Sequence, residues 1–191
     1  MFKPWIGSEY ESTRLLILGE SAYSWWEGDE LRNPSLEHST EMVKWAVENR
    51  LEDNRFFGMV SRALARTQNP NRKCLETLWN RVAFTNYVSQ TVGEGARNPP
   101  TPAMWEAAKR EFLPGLSRLF DPIPRRVLVL GKTLWDKMPE NTDVFLTDDV
   151  QGYQIGNQLV LCWATYHPAG GLSWRQLAAV IHFTYGQELT V

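Results

Sequence analysis

Three short stretches of this 191-residue chain combine residue types that can do chemistry. The first is Tyr166-His167-Pro168-Ala169-Gly170-Gly171. Imidazole titrates near neutral pH, so His167 can serve as acid, base or electrostatic catalyst. Its plainer role is to orient the turn through a backbone hydrogen bond. The second stretch is Thr85-Asn86-Tyr87. Asn86 offers a donor and an acceptor side by side, as needed to read the edge of a nucleobase. Its plainer role is to bond its own loop, as asparagines at strand ends do. The third is Gly19-Glu20-Ser21-Ala22-Tyr23, which can present backbone N–H groups and an aromatic ring. The other histidines carry less. His182 lies in an apolar helical pattern and reads as packed core, whereas His38, between Glu37 and Ser39, reads as solvated.

These stretches share a context, since each follows a segment that reads as a buried strand. Arg14–Gly19 (RLLILG) is a short apolar run ending in Gly, and Arg126–Gly131 (RVLVLG) repeats it. Val82–Val88 is β-branched and aromatic, and Leu159–Thr165 is joined to Tyr153–Ile155 by a Gly156-Asn157 hairpin turn. Between them lie helical patterns over residues 35–50, 54–67 (capped by Asn54), 72–79, 101–120 (started by Thr101-Pro102, with Pro114 inside) and 174–185. Residues 20–33 and 89–100 read as loops. Alternating strands and helices imply a three-layer α/β/α domain over residues 1–191, around a central, mostly parallel four-stranded sheet. Ligands of such sheets sit at the carboxyl ends of the strands, where the three stretches fall.

The formal net charge is −2, which by itself argues against a nucleic-acid partner. By position it is uneven: net −5 over residues 1–61, +7 over 62–137 and −4 over 138–191. Arg62, Arg66, Arg72, Lys73, Arg81, Arg97, Lys109, Arg110, Arg125 and Arg126 can form a basic face, or simply solvate helix surfaces. Two cysteines cannot make a disulfide framework or a four-thiolate centre. No apolar run approaches the ~20 residues that span a bilayer, and the N-terminus lacks an apolar signal core. A cytoplasmic, monomeric protein is expected. Of nine tryptophans, Trp45, Trp79, Trp105, Trp135 and Trp163 read as core. Trp25, Trp26 and Trp174 flank the motif loops, and Trp5 has no reading.

Taken in order, the motifs resemble those of the uracil-DNA glycosylase superfamily. Its first motif reads Gly-Gln-Asp-Pro-Tyr in one branch and Gly-Glu-Ala-Pro-Gly in another. Gly19-Glu20-Ser21-Ala22-Tyr23 is similar to both, through Glu20 to the second and Tyr23 to the first. Asn86 resembles the Asn that closes the superfamily's second strand and bonds the flipped base. His167-Pro168-Ala169 resembles the His-Pro-Ser or His-Pro-Ala motif, and Leu172-Ser173 the Leu-Ser that follows it, with one extra Gly here. Residues 54–64 resemble a segment whose Phe stacks on the base, here Phe56 or Phe57. The resemblance spans about residues 12–185.

The resemblance implies a monofunctional DNA glycosylase that needs no metal or organic cofactor. Such an enzyme flips a nucleotide out of DNA and hydrolyses its N-glycosidic bond, leaving an abasic site. His167 would be catalytic, with Glu20 or Ser21 handling the water. Asn86, Tyr23 and Phe56 or Phe57 would hold the base. Pro168, Gly170, Gly171, Leu172 and Ser173 would meet DNA, Leu172 as an apolar wedge. The departures bear on the substrate. Ser21 replaces the Asp or Asn that positions water in several branches, Ala22 replaces Pro, and the pair Trp25-Trp26 is extra. Cys74 and Cys162 cannot hold the iron–sulfur cluster usual in the Gly-Glu-Ala-Pro-Gly branch. Uracil, or a modified pyrimidine such as the hypermodified cytosine of phage DNA, is the expected base. Two other classes compete: a catalytically silent binder of DNA or nucleotides, and a Ser–His hydrolase using Ser21 and His167. The hydrolase lacks a Gly-x-Ser-x-Gly elbow.

Overall fold

A computed structural model describes residues 2–48, 51–94, 98–140 and 144–185. In chain order the elements are β1 (Trp5–Ile6), α1 (Tyr10–Thr13), β2 (Leu15–Glu27), β3 (Glu30–Arg32), α2 (His38–Val47), α3 (Arg55–Ala65), α4 (Arg72–Asn80) and β4 (Val82–Glu94), followed by α5 (Pro102–Leu119), β5 (Arg126–Leu130), α6 (Lys132–Trp135), β6 (Val144–Thr147), β7 (Val150–Ile155), β8 (Gln158–Thr165) and α7 (Trp174–Tyr185). The expected α/β class is present, but the sheet is larger and mixed. Its order is β1-β4-β2-β5-β8-β7-β6, with β3 pairing β2 to one side. Four strands, β4-β2-β5-β8, run parallel at the centre. Antiparallel strands flank them: β1 on β4, and the meander β8-β7-β6 at the far edge.

Helices pack on both faces because the central strands are apolar on both faces. Leu15 and Ile17 join Val82, Phe84, Leu128 and Leu130 in one core cluster, which also takes buried residues of α2, α3, α4 and α7. Leu16 and Leu18 join Ala83, Val127, Val129 and Cys162 in the other, with residues of α5. Each Val, Leu, Ile or Phe among them, buried from water, contributes about 1.5–3 kcal/mol. Helix starts are fixed by side-chain caps: Asn54 accepts from the Phe57 N–H (3.2 Å), Asn71 from Cys74 (2.9 Å) and Thr101 from Met104 (3.3 Å).

Of the expected loops, residues 20–27, 30–32 and 89–94 are strand, and residues 95–97 lie outside the described residues. β2 runs on past Gly19 and β4 past Val88, and the two stay paired as far as Ser24 and Glu94, with register shifts around Ala22. Polar segments that find no helix or hairpin locally satisfy their N–H and C=O groups on each other. Gly28 (φ 61°) then turns β2 back into β3. The two minor histidines exchange roles. His38 is buried, covered by the Phe2 ring at 5.6 Å and the Trp25 ring at 6.4 Å between centroids. His182 is exposed, rotated about 100° along α7 from buried Ile181. Trp79 and Trp105 are core, Trp79 donating to Ser61 Oγ at 3.0 Å. Trp45 and Trp135 are half-buried, as is Trp163, which was expected to be buried. Trp5 caps the first core edge by donating to the Trp79 carbonyl at 2.9 Å.

Candidate functional site

Gly19 is the first residue of β2 beyond the last β5 pairing, Leu18 with Val129, and it pairs with Asn86 of β4. An added Cβ at Gly19 would stand 2.5 Å from Asn86 Oδ1, 3.4 Å from the Phe84 ring and 3.5 Å from the Phe56 ring. Glycine is therefore required for Asn86 to lie across this point of β2. Asn86 is 8% exposed, and its Oδ1 and the Phe56 ring both border the space over Gly19. The Phe56 ring is half-buried, at 5.6 Å from the His167 ring and 6.0 Å from Phe84. His167 follows β8, and its ring lies 3.8 Å from a Cβ built on Gly131, the residue after β5. Thus Gly19 and Asn86, where β2 parts from β5, lie by the Phe56 ring, which in turn packs near His167, while Gly131 borders His167.

The His167 tautomer follows from its bonds. Nδ1 accepts the Ala169 N–H at 3.2 Å, and the His167 carbonyl accepts the Gly170 N–H at 2.8 Å. Neutral imidazole then carries its proton on Nε2, leaving that N–H to donate. Burial holds the His167 pKa below its ordinary value, which favours this neutral form. The site thus brings a neutral N–H donor, an amide and an aromatic ring into one neighbourhood.

The other expected residues divide. Phe57 is core: it is 4% exposed and packs on Trp79 and Phe84 at 6.0 and 5.1 Å between ring centroids. Adjacent helical positions point about 100° apart, so only one Phe can face the site, and it is Phe56. Glu20 and Ser21 are half-buried on β2, and burial raises the Glu20 pKa. Among the described residues no hydrogen bond joins Ser21 to His167, whose Nδ1 is already taken, so the nucleophile–base contact of a Ser–His hydrolase is not formed. Tyr23 stands 36% exposed on the outer part of β2, away from Gly19. Pro168 is buried, and Gly170 and Gly171 are exposed. Leu172 is half-buried against the first core cluster rather than projecting as a wedge, because apolar neighbours are within reach. Ser173 caps α7 reciprocally: the Gln176 N–H donates to Ser173 Oγ at 3.2 Å and the Ser173 N–H to Gln176 Oε1 at 2.9 Å. The spacing Ser173-Trp174-Arg175-Gln176 already carried that signature. Gly131 and Phe84 were the missed members. The repeated apolar-run-then-Gly pattern was the available signal for Gly131.

The basic face is thinner than the sequence implies, since Arg62 pairs with Glu52 and Arg72 with Glu76. Arg97 lies outside the described residues. Leu16, Leu18, Thr85, Phe112 and Gly115, together with Asn86, line a groove between β4 and α5 that lacks His167 and Phe56. Cys74 packs against one core cluster and Cys162 lies within the other, so the two thiols are on opposite faces. Among the described residues no group of three His, Cys, Asp or Glu side chains can hold a metal ion. Among them, too, no helix is long and apolar enough to cross a membrane. No protein-family model and no curated protein matches the chain.

Proposed function

We propose that this chain is a monofunctional DNA glycosylase, acting on uracil or a modified pyrimidine. The observation that carries the reading is the meeting of Gly19 and Asn86, paired in β2 and β4 where β2 leaves β5, with Phe56 and with His167, which follows β8. A flipped base would stack on Phe56, with stacking worth ~1–3 kcal/mol. The Asn86 amide would read its edge. The bond between C1′ of the sugar and the base nitrogen breaks with both electrons leaving on the base. His167 Nε2–H would donate to the base oxygen where that charge collects, a contribution of ~3 kcal/mol by analogy with oxyanion stabilisation. Water then adds its oxygen to C1′ and releases a proton to the anionic base or to solvent. Glu20 is the carboxylate nearest in sequence to the site, and its raised pKa moves it toward the range suited to a general base.

The test is an abasic-site assay on DNA carrying single uracil, hydroxymethylcytosine or glucosylated hydroxymethylcytosine residues, in single and double strands. His167→Ala is expected to slow excision about 10²-fold, from the ~3 kcal/mol above, and Asn86→Ala to raise KM for the cognate base. Undiminished excision by both variants would sink the reading. The second reading, a silent glycosylase-fold binder, is favoured by Ser21 at the position where several branches of the resembled family place Asp or Asn. Tight binding of base-modified DNA with no abasic product from any substrate would establish it instead.

A further inference from the structure

Two cations flank the His167 loop, and each is laid on an aromatic ring. After the loop, the Arg175 guanidinium carbon sits 4.6 Å from the Trp174 ring centroid. That ring is itself anchored, its Nε1–H donating to Gln68 Oε1 at 2.9 Å. Before the loop, Lys132 Nζ lies 5.8 Å from the ring centroid of Tyr166, the residue preceding His167 and 63% exposed. Lys132 follows Gly131, on which an added Cβ would stand 3.8 Å from the His167 ring. Local electrostatics do not account for Arg175. It occupies the first turn of α7, the end where the helix dipole disfavours a cation, and no acidic residue shares that turn. It is also the sole Lys or Arg among residues 138–191, within an acidic third of the chain. Among the described residues no carboxylate bridges it, whereas Lys132 is paired with Asp149.

We propose that Arg175 and Lys132 are a two-point clamp for nucleic-acid phosphates on either side of the His167 loop. The identity of the ligand rests on the glycosylase reading; the choice of residues rests on the stacking and placement just described. A ring beneath each cation fixes its direction and removes part of its water before any ligand arrives. Phosphate contacts of this kind set register and orientation without reading sequence. The two points are unequal. Arg175 is free to bind, while Lys132 must exchange Asp149 for phosphate, so Asp149 weakens the clamp on that side.

The experiment titrates a duplex bearing one tetrahydrofuran abasic-site analogue with the full chain over a range of salt, alongside excision assays on the wild type. Arg175→Ala is expected to make the slope of log affinity against log salt shallower by about 0.9, the value for one phosphate contact on duplex DNA. Lys132→Ala lowers it by less. Asp149→Asn tightens binding, and Arg175→Lys keeps the slope while weakening binding, since charge is retained and the planar stack is lost. Unaltered thermal melting separates these effects from misfolding. Wild-type excision with unchanged slopes in Arg175→Ala and Lys132→Ala overturns the clamp and leaves the glycosylase reading intact. Altered slopes without abasic product uphold the clamp and overturn catalysis. Absent or salt-independent binding by the wild type overturns both.

Discussion

The inner and outer halves of β2 are one continuous strand with two different environments. Leu15 to Leu18 have β4 on one side and β5 on the other, and none is more than 1% exposed. Beyond Gly19 the β5 neighbour is gone. From there the strand alternates, with Ala22 and Ser24 buried and Tyr23 and Trp25 exposed, and its last residues are exposed, Trp26 at 58%. Hydrogen bonding to β4 crosses the boundary; burial of both faces does not. The candidate site sits at the step, where a strand held rigidly on one side loses its neighbour on the other. A rigid backbone facing open space is what a binding site on such a sheet needs.

The largest expected effect tests the inner half. Leu16→Ala removes a side chain with no exposure from the second core cluster and is expected to cost about 2–5 kcal/mol in urea unfolding. A smaller loss would mean that the inner half is not the rigid support described. Next is the boundary itself. Gly19→Ala puts a methyl 2.5 Å from Asn86 Oδ1 and against Phe56, so one of them must move. Overpacking of this kind costs about 1–3 kcal/mol. If Asn86 is the group displaced, excision falls further than stability alone predicts. A variant with wild-type kinetics would show that Asn86 placement is unimportant.

A pH titration compares the two halves through their histidines. His38 lies under Trp25 of the outer half, and His167 stands beside the boundary; burial lowers the pKa of both. Around His38 the facing charge is Glu41, which opposes the shift without cancelling it. In each case the unfolded chain, with its usual value near 6.5, binds more protons than the folded one as pH drops through that value. Stability is therefore full above pH 6.5 and declines below it, toward the lowered folded pKa. Replacing either histidine by Gln should flatten that acid limb by its share. Protonation also places a proton on His167 Nδ1, against the Ala169 N–H, so excision should hold steady above pH 7 and fall on acidification. A profile that rises toward acid would contradict the neutral-donor assignment.

Much of the inner half was legible because it is decided locally. Apolar runs ending in Gly marked β2 and β5, and Asn54 and Thr101 marked helix starts that the structure uses. The outer half was not, because Ala22–Ser24 and Thr91–Glu94 become strand only by meeting each other across some 70 residues of chain. The same limit hid His38, whose cover comes from Phe2 and Trp25, and left Phe56 and Phe57 undecided until α3 was turned against the sheet. For the candidate site, residue type singled out Asn86 and His167, which the structure brings to the two sides of Phe56. It was not enough for Ser173 or Leu172, whose side chains are taken up by a helix cap and a core edge.

The smallest expected effect is at the tip. Trp26→Ser removes an exposed ring, while its backbone pairing with Leu31 does not depend on the side chain. Trp26 lies outside both core clusters, so the change should stay within about 0.5 kcal/mol in the same urea assay. Excision should be equally untouched, because the ring makes no part of the step at Gly19. A loss comparable with that of Leu16→Ala would show that the aromatic side chains of the outer half hold it in place. Burial would then have to be sought in an assembled state rather than in the isolated chain. A loss of excision without a loss of stability would instead extend the site outward along β2, from Gly19 through Tyr23 to the tip.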